Sequence, residues 1–416
     1  MLLRYINQFA IILTTFTIYA QDTLTLTIQQ ADSLFLKNNY QLLAQSMHIE
    51  AQKAQIIQAK LYPNPVFTAD FNAYDPENNR YFHVGQTGHK AFQLEQLILL
   101  GGKRKAEIDL AKTQVAIAEI AFTQLVRQLK SRLHSDLFHL GELTKLINRY
   151  QSQLELLDNL LNTYNTQAEK GNIPLKDVVR LKTAYLQLNN DRAELLKDYY
   201  ELQNSVQTIL QTNAIIVFES NNQDLEKFIQ VLSLEQLHET AKVNRPDLLI
   251  LEQNKLLAQQ YLAYQKRSAV PDITLFTAYD QRSGAFNNQI NAGFSIPLPL
   301  WNHNKGNIKT SQYQLKEVEY TIQGMQSQAV IELQNALSLY NQTITEYQKA
   351  MTLYNEDFEI ILNGMIENFQ KHNISLIEFI DFFESYNDGL NEIARIKTQL
   401  VTSAQQINTL TGKDIY

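Results

Sequence analysis

The chain has 416 residues, no cysteine and a formal net charge of −7 at pH 7. The missing cysteines exclude disulfide bonds, thiolate metal ligands and a lipid-modified N-terminal cysteine, and the acidic balance disfavours nucleic acid as a partner. Only 13 Gly and 8 Pro occur, so long uninterrupted helices are expected.

The first twenty residues have the form of a secretory signal peptide. A single basic residue, Arg4, precedes an apolar run from Phe9 to Ile18 and the small residue Ala20, a pattern typical of exported precursors. A membrane helix is the less favoured alternative, because the run is shorter than the about 20 apolar residues that a bilayer requires. We therefore predict a signal peptide at residues 1–20.

The rest of the sequence is duplicated. LTIQQADSLFLKNNYQLL in the first half matches LSLEQLHETAKVNRPDLL in the second at an offset of 206 residues, and EKGNIPLKDVVR matches QKHNISLIEFID at an offset of 201. Internal similarity of this kind decides the architecture of a chain. It predicts two structural repeats, at residues 21–216 and 217–416.

A capping box marks the predicted start of the first helix in each repeat. In this motif a Ser or Thr side chain accepts a bond from the backbone N–H three residues on, where a Gln or Glu side chain returns the bond. The first repeat has Thr27 with Gln30, and the second has Ser233 with Gln236. Both pairs therefore predict a helix N-terminus.

Strands are predicted after these helices, because the apolar period changes there from helical to alternating. Polar loops separate the strands at residues 75–88 and 281–289. The alternating apolar residues are Phe67, Ala69, Phe71, Phe92, Leu94, Ile273, Leu275, Tyr279, Phe294 and Ile296. Each repeat thus contributes one β-hairpin, at about 65–100 and about 271–300, which predicts four strands in all.

Long helices are predicted after each hairpin. Residues 103–168 would extend about 100 Å if helical throughout. Apolar residues at steps of three and four, which run in the second repeat from Val330 to Met365, are typical of a left-handed coiled coil. We therefore predict two antiparallel helical hairpins, whose tips lie at about 169–178 and about 370–379.

The tips have turn chemistry of their own. Gly171 permits the left-handed backbone that ends a helix, and Ser375 with Glu378 has the pattern of another capping box. His372 takes the place of Gly171 in the second tip, which leaves the equivalence of the two turns open.

The strand count has a consequence for assembly. Four strands do not close a membrane barrel, and an open edge in lipid leaves backbone groups unpaired. Bacterial single-chain barrels begin at about 8 strands, so two or more copies must pool their strands. A shared barrel continued by coiled-coil helices predicts a hollow conduit.

The duplicated order of helix, hairpin, long helix, tip and return helix, together with LLGGKRKAE and IPLPLWNHNKGNI, resembles the TolC-like outer-membrane efflux family over essentially the whole mature length. This resemblance implies a fold that is mainly α with a small transmembrane β part. It also implies a homotrimer with a 12-stranded outer-membrane barrel and a long periplasmic tunnel of helices.

The same resemblance implies partners and cargo. A TolC-like protein docks to a periplasmic membrane-fusion adaptor protein and an inner-membrane efflux pump, which we expect to be proton-driven. GGKRK and PLPLWNHNKG most resemble the branch of the family that exports metal cations. The alternatives are a type I protein secretion duct, a soluble periplasmic coiled-coil scaffold and, more distantly, an export-coupled hydrolase.

Carboxylates at the tips are candidates for a pore constriction. Acidic residues ring the closed tunnel entrance in the equivalent stretch of the family, and three copies would form a ring that favours cations. Helix capping is the alternative role of Glu378 and of Asp177. The candidates are Asp177, Glu378 and Asp381.

The tip turns are candidates for adaptor docking, because the resemblance implies that the adaptor grips them. The alternative is that these residues simply form tight turns. The candidates are Gly171, Asn172, Ile173, Leu175, His372, Asn373, Ile374 and Leu376.

Three consecutive cations, Lys103, Arg104 and Lys105, begin a predicted helix. Positive charge opposes the helix dipole at this end, so another interaction should favour them. Periplasmic lipid headgroups just below the barrel are the candidate partner, and an ordinary solvated charge run is the alternative.

No catalytic, cofactor-binding or metal-binding motif is visible. The 8 His include no HExxH motif, and His134 and His139 are five residues apart, off one helix face. We therefore expect no enzyme and no cofactor. The predicted function is a passive exit duct in the outer membrane for metal cations or small toxic compounds.

Overall fold

A computed structural model describes residues 22–282, 285–354 and 357–416; the predicted signal peptide lies outside them. The helices are Ile28–Asn38 (α1), Tyr40–Lys60 (α2), Lys103–Glu169 (α3), Leu175–Leu210 (α4), Asn222–Glu226 (α5), Leu234–Asn244 (α6), Pro246–Ser268 (α7), Lys305–Leu353 (α8), Asp357–Gln370 (α9) and Leu376–Thr411 (α10). The strands are Thr23–Thr25 (β1), Val66–Phe71 (β2), Tyr74–Asp75 (β3), Arg80–Tyr81 (β4), Lys90–Ile98 (β5), Ile215–Val217 (β6), Ile273–Arg282 (β7) and Phe286–Ser295 (β8). The predicted fold class, mainly α with a small β part, is confirmed. Of the helices described, none is both long enough and apolar enough to cross a bilayer.

The chain divides into two compact units. The described residues of unit 1 fall in 1–39, 133–225 and 350–398, and those of unit 2 in 40–132, 226–349 and 399–416. Helices α3, α8 and α10 contribute residues to both units.

Unit 1 is built around a helical core. Apolar residues at coiled-coil spacing from α3 meet those of α4, α9 and α10, and the rings of Phe369 and Phe379 stack with centroids 4.4 Å apart. The buried cluster consists of Tyr150, Leu154, Leu157, Leu161, Leu181, Leu188, Phe369, Leu376, Phe379 and Phe383. The predicted apolar spacing along these helices therefore does mark buried positions.

Unit 2 contains a four-stranded antiparallel sheet in the order β2-β5-β7-β8. The two predicted hairpins join through β5 and β7, in which Ile98 pairs with Ile273 and Lys90 with Gln281. Strands β2 and β8 are the edges of this sheet.

The prediction of four strands was incomplete. A short parallel pair joins β1 to β6 in unit 1, with Leu24 opposite Ile216, and a two-residue pair joins β3 to β4 within the first loop. Strands of two or three residues are too short to produce an alternating pattern. The loop predicted at 281–289 was also too long, since β7 continues to Arg282 and β8 begins at Phe286.

Both helices begin directly after the predicted N-cap residues, Thr27 and Ser233, but only one of the two predicted capping boxes forms. The Gln30 N–H donates to Thr27 Oγ1 (3.3 Å) and the Thr27 N–H donates to Gln30 Oε1 (2.9 Å), so the first box is confirmed. The second box was wrong, because the Ser233 side chain accepts no capping bond at the start of α6. There Glu235 in the first turn places a negative charge near the helix N-terminus, where the helix dipole favours it.

Candidate functional site: tip turns, an acidic groove and a two-faced sheet

The tip between α3 and α4 is a Schellman turn. The Asn172 N–H donates to the Gln167 carbonyl and the Gly171 N–H to the Ala168 carbonyl, both at 2.9 Å. Gly171 has a φ of +78°, a left-handed conformation that glycine adopts without steric cost. The Asn172 Nδ2 also donates to Gln167 Oε1 (2.7 Å). This bond restrains the side chain of Asn172.

The tip between α9 and α10 forms the same turn without a glycine. The Asn373 N–H donates to the Asn368 carbonyl (2.9 Å) and the His372 N–H to the Phe369 carbonyl (3.0 Å). His372 has a φ of +62°, in the left-handed region that costs other residues about 1–2 kcal/mol. The two tip turns are therefore equivalent in backbone, although only one contains glycine.

The side chains of the two tips differ in exposure. Leu175 at the start of α4 is 73% exposed, whereas its counterpart Leu376 is 8% exposed and belongs to the core of unit 1. Ile173 and Ile374 are half-buried. The prediction of Leu376 as a docking residue is therefore corrected, because its side chain packs in the hydrophobic core.

Glu378 caps helix α10. Ser375 donates its backbone N–H (2.8 Å) and its hydroxyl (2.7 Å) to Glu378 Oε2, and the Glu378 N–H donates to Ser375 Oγ (3.2 Å). The backbone bond from Ser375 holds the pKa of Glu378 below its ordinary value. The capping role considered for Glu378 is confirmed.

Asp177 occupies the matching first turn of α4 in a different setting. The N-cap residue of α4 is Pro174, which makes no side-chain capping bond. Asp177 is half-buried in that first turn, where the helix dipole favours a carboxylate. The first tip therefore has the charge of the second tip without its capping box.

Asp381 lines a groove of about 610 Å³ between α4 and α10, within unit 1. Helix α10 also contributes Glu384 and Asp388, and α4 contributes Asp191, which accepts a bond from Gln187 Nε2 (2.8 Å). Asp381, Glu384 and Asp388 follow the i, i+3, i+7 spacing of one helix face, and all three are exposed. We call these four carboxylates the acidic groove.

Sequence reasoning found only one member of the acidic groove. Asp381 was predicted, whereas Glu384, Asp388 and Asp191 were missed, although the spacing in IDFFESYND could have indicated two of them. Within the ranges that the structure describes, no three His, Asp or Glu side chains are placed to hold a metal ion together.

The sheet of unit 2 has two chemically distinct faces. The strand register brings Phe67 and Phe92 together on one face with Tyr279, and successive rings lie 6.2 and 6.1 Å apart. Besides Gln96 and Thr277, this face carries the apolar residues Phe67, Ala69, Phe71, Phe92, Leu94, Ile98, Ile273, Leu275, Tyr279, Ile290, Ala292 and Phe294. The opposite face is mostly polar: besides Val66, Leu97 and Phe276 it carries Thr68, Asp70, Gln93, Glu95, Thr274, Asp280, Gln289, Asn291 and Ser295. The apolar face is open, with Ile290 77% exposed and Phe294 68% exposed.

The three cations at the start of α3 have different environments. Lys103 is buried, and its Nζ donates to Asp272 Oδ1 (2.8 Å). Arg104 donates from Nη1 to the Lys60 carbonyl (2.8 Å), and its guanidinium lies 3.9 Å above the ring of Tyr62. These contacts explain how two cations are tolerated at a helix N-terminus. The prediction that Lys103 faces lipid headgroups is corrected, because this ion pair occupies its ammonium group.

Known proteins resemble this chain in sequence or in architecture. No protein-family model matches the chain. The chain is 24% identical over 286 residues to the cobalt-zinc-cadmium resistance protein CzcC of Cupriavidus metallidurans, an alignment that spans 68% of this chain and 65% of that relative. The crystal structure of CusC, solved in a study of transmembrane channel formation, superposes with a TM-score of 0.75 at 15% identity and covers 93% of this chain and 92% of CusC.

A second solved structure agrees. The Campylobacter jejuni CmeC outer membrane channel matches with a TM-score of 0.74 at 14% identity, over 94% of this chain and 87% of CmeC. The chain has the TolC-like fold. The resemblance predicted from the sequence is thereby confirmed for the TolC-like architecture of strands and long helices.

Proposed function

We propose that this chain is the outer-membrane exit duct of a tripartite efflux system and acts as a homotrimer. In this proposal the duct is passive, and a periplasmic adaptor and an inner-membrane pump supply the driving force. The sheet of unit 2 would lie in the outer membrane, and the helical hairpins would line a periplasmic tunnel. The TolC-like fold supports this proposal, and the two-faced sheet is the observation that carries it.

The sheet meets the two requirements of a shared membrane wall. Its apolar face would contact lipid, while the polar face would line water, as in barrels whose strands alternate between the two. Strands β2 and β8 are edges in the single chain, and open edges are not tolerated in lipid. Head-to-tail pairing of β2 with β8 of the next copy closes a ring by rotation, and three copies would pool twelve strands.

An exposed apolar stripe on α2 also supports self-association. Its residues share one helix face at steps of three, four and ten residues, and each is between 46% and 68% exposed. They are Tyr40, Leu43, Met47 and Ile57. A stripe of this kind in a soluble helix marks a partner surface, and a neighbouring copy is the partner that the proposal supplies.

The tip turns are the proposed adaptor contact. Their backbones repeat the same Schellman geometry, so one adaptor surface could contact either turn. The exposed members are Gly171, Asn172, Leu175, His372 and Asn373, with Ile173 and Ile374 half-buried beside them. Leu175 is the main apolar anchor, because apolar side chains at the centre of a contact carry most binding energy.

Metal cations are the proposed cargo. The acidic groove would be repeated three times around the axis of a trimer, and rings of carboxylates favour cations. Asp381 is its predicted member; Glu378 precedes it by three residues in α10, and Asp177 lies in the first turn of α4. The resistance to cobalt, zinc and cadmium in the name of CzcC supports the same cargo class.

Disulfide cross-linking tests the shared wall. The chain has no cysteine, so a cysteine in β2 and one in β8, scanned over Thr68, Asp70, Gln289 and Asn291, form only the bonds that are introduced. We expect at least one β2–β8 pair to yield dimers, trimers and no larger species from outer-membrane fractions.

The matched control uses neighbouring strands of one chain. Gln93→Cys with Ala278→Cys joins directly paired residues of β5 and β7, so it should cross-link within the monomer. If this control forms its bond while every β2–β8 pair stays monomeric, the trimeric duct is contradicted.

A further inference from the structure

The segment of residues 296–304, IPLPLWNHN, holds apolar side chains in solvent. Leu298 is 72%, Leu300 63% and Trp301 90% exposed. Trp301 is the single tryptophan of the chain. Large apolar side chains seldom cluster in water without a partner, and this cluster continues the apolar face of the sheet from Phe294.

The segment is held in place at both ends. Before it, Ser295 pairs with Thr274 in the sheet. After it, Asn304 Nδ2 donates to the carbonyl of Gln265 (2.7 Å) and to its Oε1 (2.9 Å). Two prolines between these anchors restrict φ. The exposed side chains are therefore presented by a constrained backbone.

The segment leaves the sheet at a rim that carries a second exposed aromatic residue. Strand β8 ends where β7 begins and β5 ends, because Ser295 pairs with Thr274 and Ile98 with Ile273. Tyr62, 66% exposed, precedes β2 at this same rim. Trp and Tyr at the border of an apolar band are the pattern of a membrane–water interface.

The same rim is basic although the whole chain is acidic. Residues 60–66, 95–109, 264–273 and 295–309 contain eight Lys and Arg against four Asp and Glu. Two of those carboxylates are engaged inside the protein, Asp272 with Lys103 and Glu107 with the hydroxyl of Tyr264. The exposed cations are Lys60, Lys105, Lys266, Lys305 and Lys309. Their charge is complementary to anionic lipid headgroups.

We propose that residues 296–301 insert into the interfacial region of a phospholipid bilayer and that the exposed lysines of this rim bind anionic phospholipid headgroups. The proposal rests on the proposed function, which puts the apolar face of the sheet in the membrane. It adds the residues that mark the membrane boundary and the lipid class that they contact. Of the three cations predicted to face headgroups, Lys105 is the exposed one.

Fluorescence of the single tryptophan tests the insertion. The full-length mature chain is reconstituted into vesicles of phosphatidylcholine and phosphatidylglycerol, and channel conductance scores insertion separately. We expect Trp301 emission to shift to the blue relative to the denatured chain. Lipids brominated near the headgroup end of the acyl chain should quench it more than lipids brominated near the chain terminus, and aqueous iodide should quench it little.

Three outcomes contradict the inference. In conducting vesicles, strong iodide quenching without quenching by brominated lipid puts Trp301 in water. Protection from both quenchers means that protein covers it, either a second copy or another partner. If no conductance appears in any vesicle, the proposed function fails and the inference fails with it.

Substitution of Lys305 and Lys309 tests whether the rim binds anionic phospholipid headgroups. In the wild type, brominated phosphatidylglycerol should quench Trp301 more than brominated phosphatidylcholine at equal mole fraction. Lys305→Gln with Lys309→Gln should abolish this preference while shallow quenching persists, and the control Lys176→Gln with Lys182→Gln, in exposed positions of α4, should retain it. Equal quenching by the two lipids in the wild type overturns the headgroup contact.

Discussion

Helices α4 and α10, which line the groove that contains Asp381, begin with the same duplicated segment, yet the faces that they turn to the groove carry different charge. At the offset of 201 residues that relates the tips, Asp381, Glu384 and Asp388 of α10 correspond to Arg180, Thr183 and Gln187 of α4, and all six line one groove. The tip turns before these helices are equivalent in backbone. The two tips therefore share the turn, whose backbone geometry is constrained. They differ in the exposed side chains of α4 and α10, which backbone geometry does not constrain.

The largest expected effect comes from the matched pair Leu175 and Leu376. Leu376→Ala should lower the free energy of unfolding by about 2–5 kcal/mol, because it removes a buried side chain and leaves a cavity. Leu175→Ala should change it by less than about 0.5 kcal/mol, because this side chain is exposed. Denaturant unfolding of the purified protein measures both.

The same pair separates stability from docking. If Leu175 anchors the adaptor, Leu175→Ala should weaken capture of the adaptor while the fold stays intact. Equal losses of stability in the two variants would remove the proposed difference between the tips.

Removing the carboxylates of α10 should have the next largest effect. Asp381→Asn, Glu384→Gln and Asp388→Asn together should lower the cation-over-anion permeability ratio by roughly tenfold, the low end of the enrichment that a charged cleft produces. Reversal potentials in planar bilayers measure this ratio. Growth of the variant on cobalt, zinc and cadmium tests the cargo in cells.

The corresponding face of α4 supplies the control. Thr183→Ala changes a neutral side chain at a matching position of the groove, so selectivity should stay as in the wild type. An unchanged ratio in the α10 variant would show that the acidic groove does not act on permeating ions. Sensitivity to dyes and detergents without sensitivity to metals would argue against a metal cargo.

Substitutions of the left-handed residues in the two turns should change the free energy of unfolding in opposite directions. Gly171→Ala should destabilise the protein by about 1–2 kcal/mol, because an added Cβ meets no atom within 4 Å and only the backbone conformation resists it. His372→Gly should stabilise it by up to about 1 kcal/mol, because the relief of the left-handed cost exceeds the chain entropy that glycine adds. Thermal unfolding at equal protein concentration compares the two. Effects of the same sign would show that the turns are not equivalent.

The smallest effect should come from the capping box of the second tip. The pKa of Glu378 is lowered in the folded protein, so its contribution to stability is present above the ordinary value of 4.5 and is lost as the pH falls through the lowered folded value. Hydrogen-exchange protection of the first turn of α10, measured near neutral pH and again below pH 4.5, should fall in acid. Glu378→Gln should remove this pH dependence. A fall of protection in acid that persists in this variant would contradict the role of the capping box.

The sequence alone determined the order of elements, the tip turns and the strand alternation. These are local properties, because the helical period, a left-handed glycine and a capping pair such as Ser375 with Glu378 act over a few residues. The TolC-like resemblance followed from that order and was confirmed. Where the local signal was weak, as in the two-residue strands, prediction failed; at Ser233 the helix start was predicted correctly but its capping bond was not.

Only the tertiary structure decided which side chains are exposed, which are buried and which are paired with another residue. The exposure of Leu175 and the burial of Leu376, the ion pair of Lys103 with Asp272 and the meeting of Asp191 with Asp381 in one groove all depend on neighbours distant in sequence. The register that collects Phe67, Phe92 and Tyr279 on one face also requires three strands to pair. A periodic pattern indicates that a helix or strand has an apolar side, but packing alone selects what that side contacts.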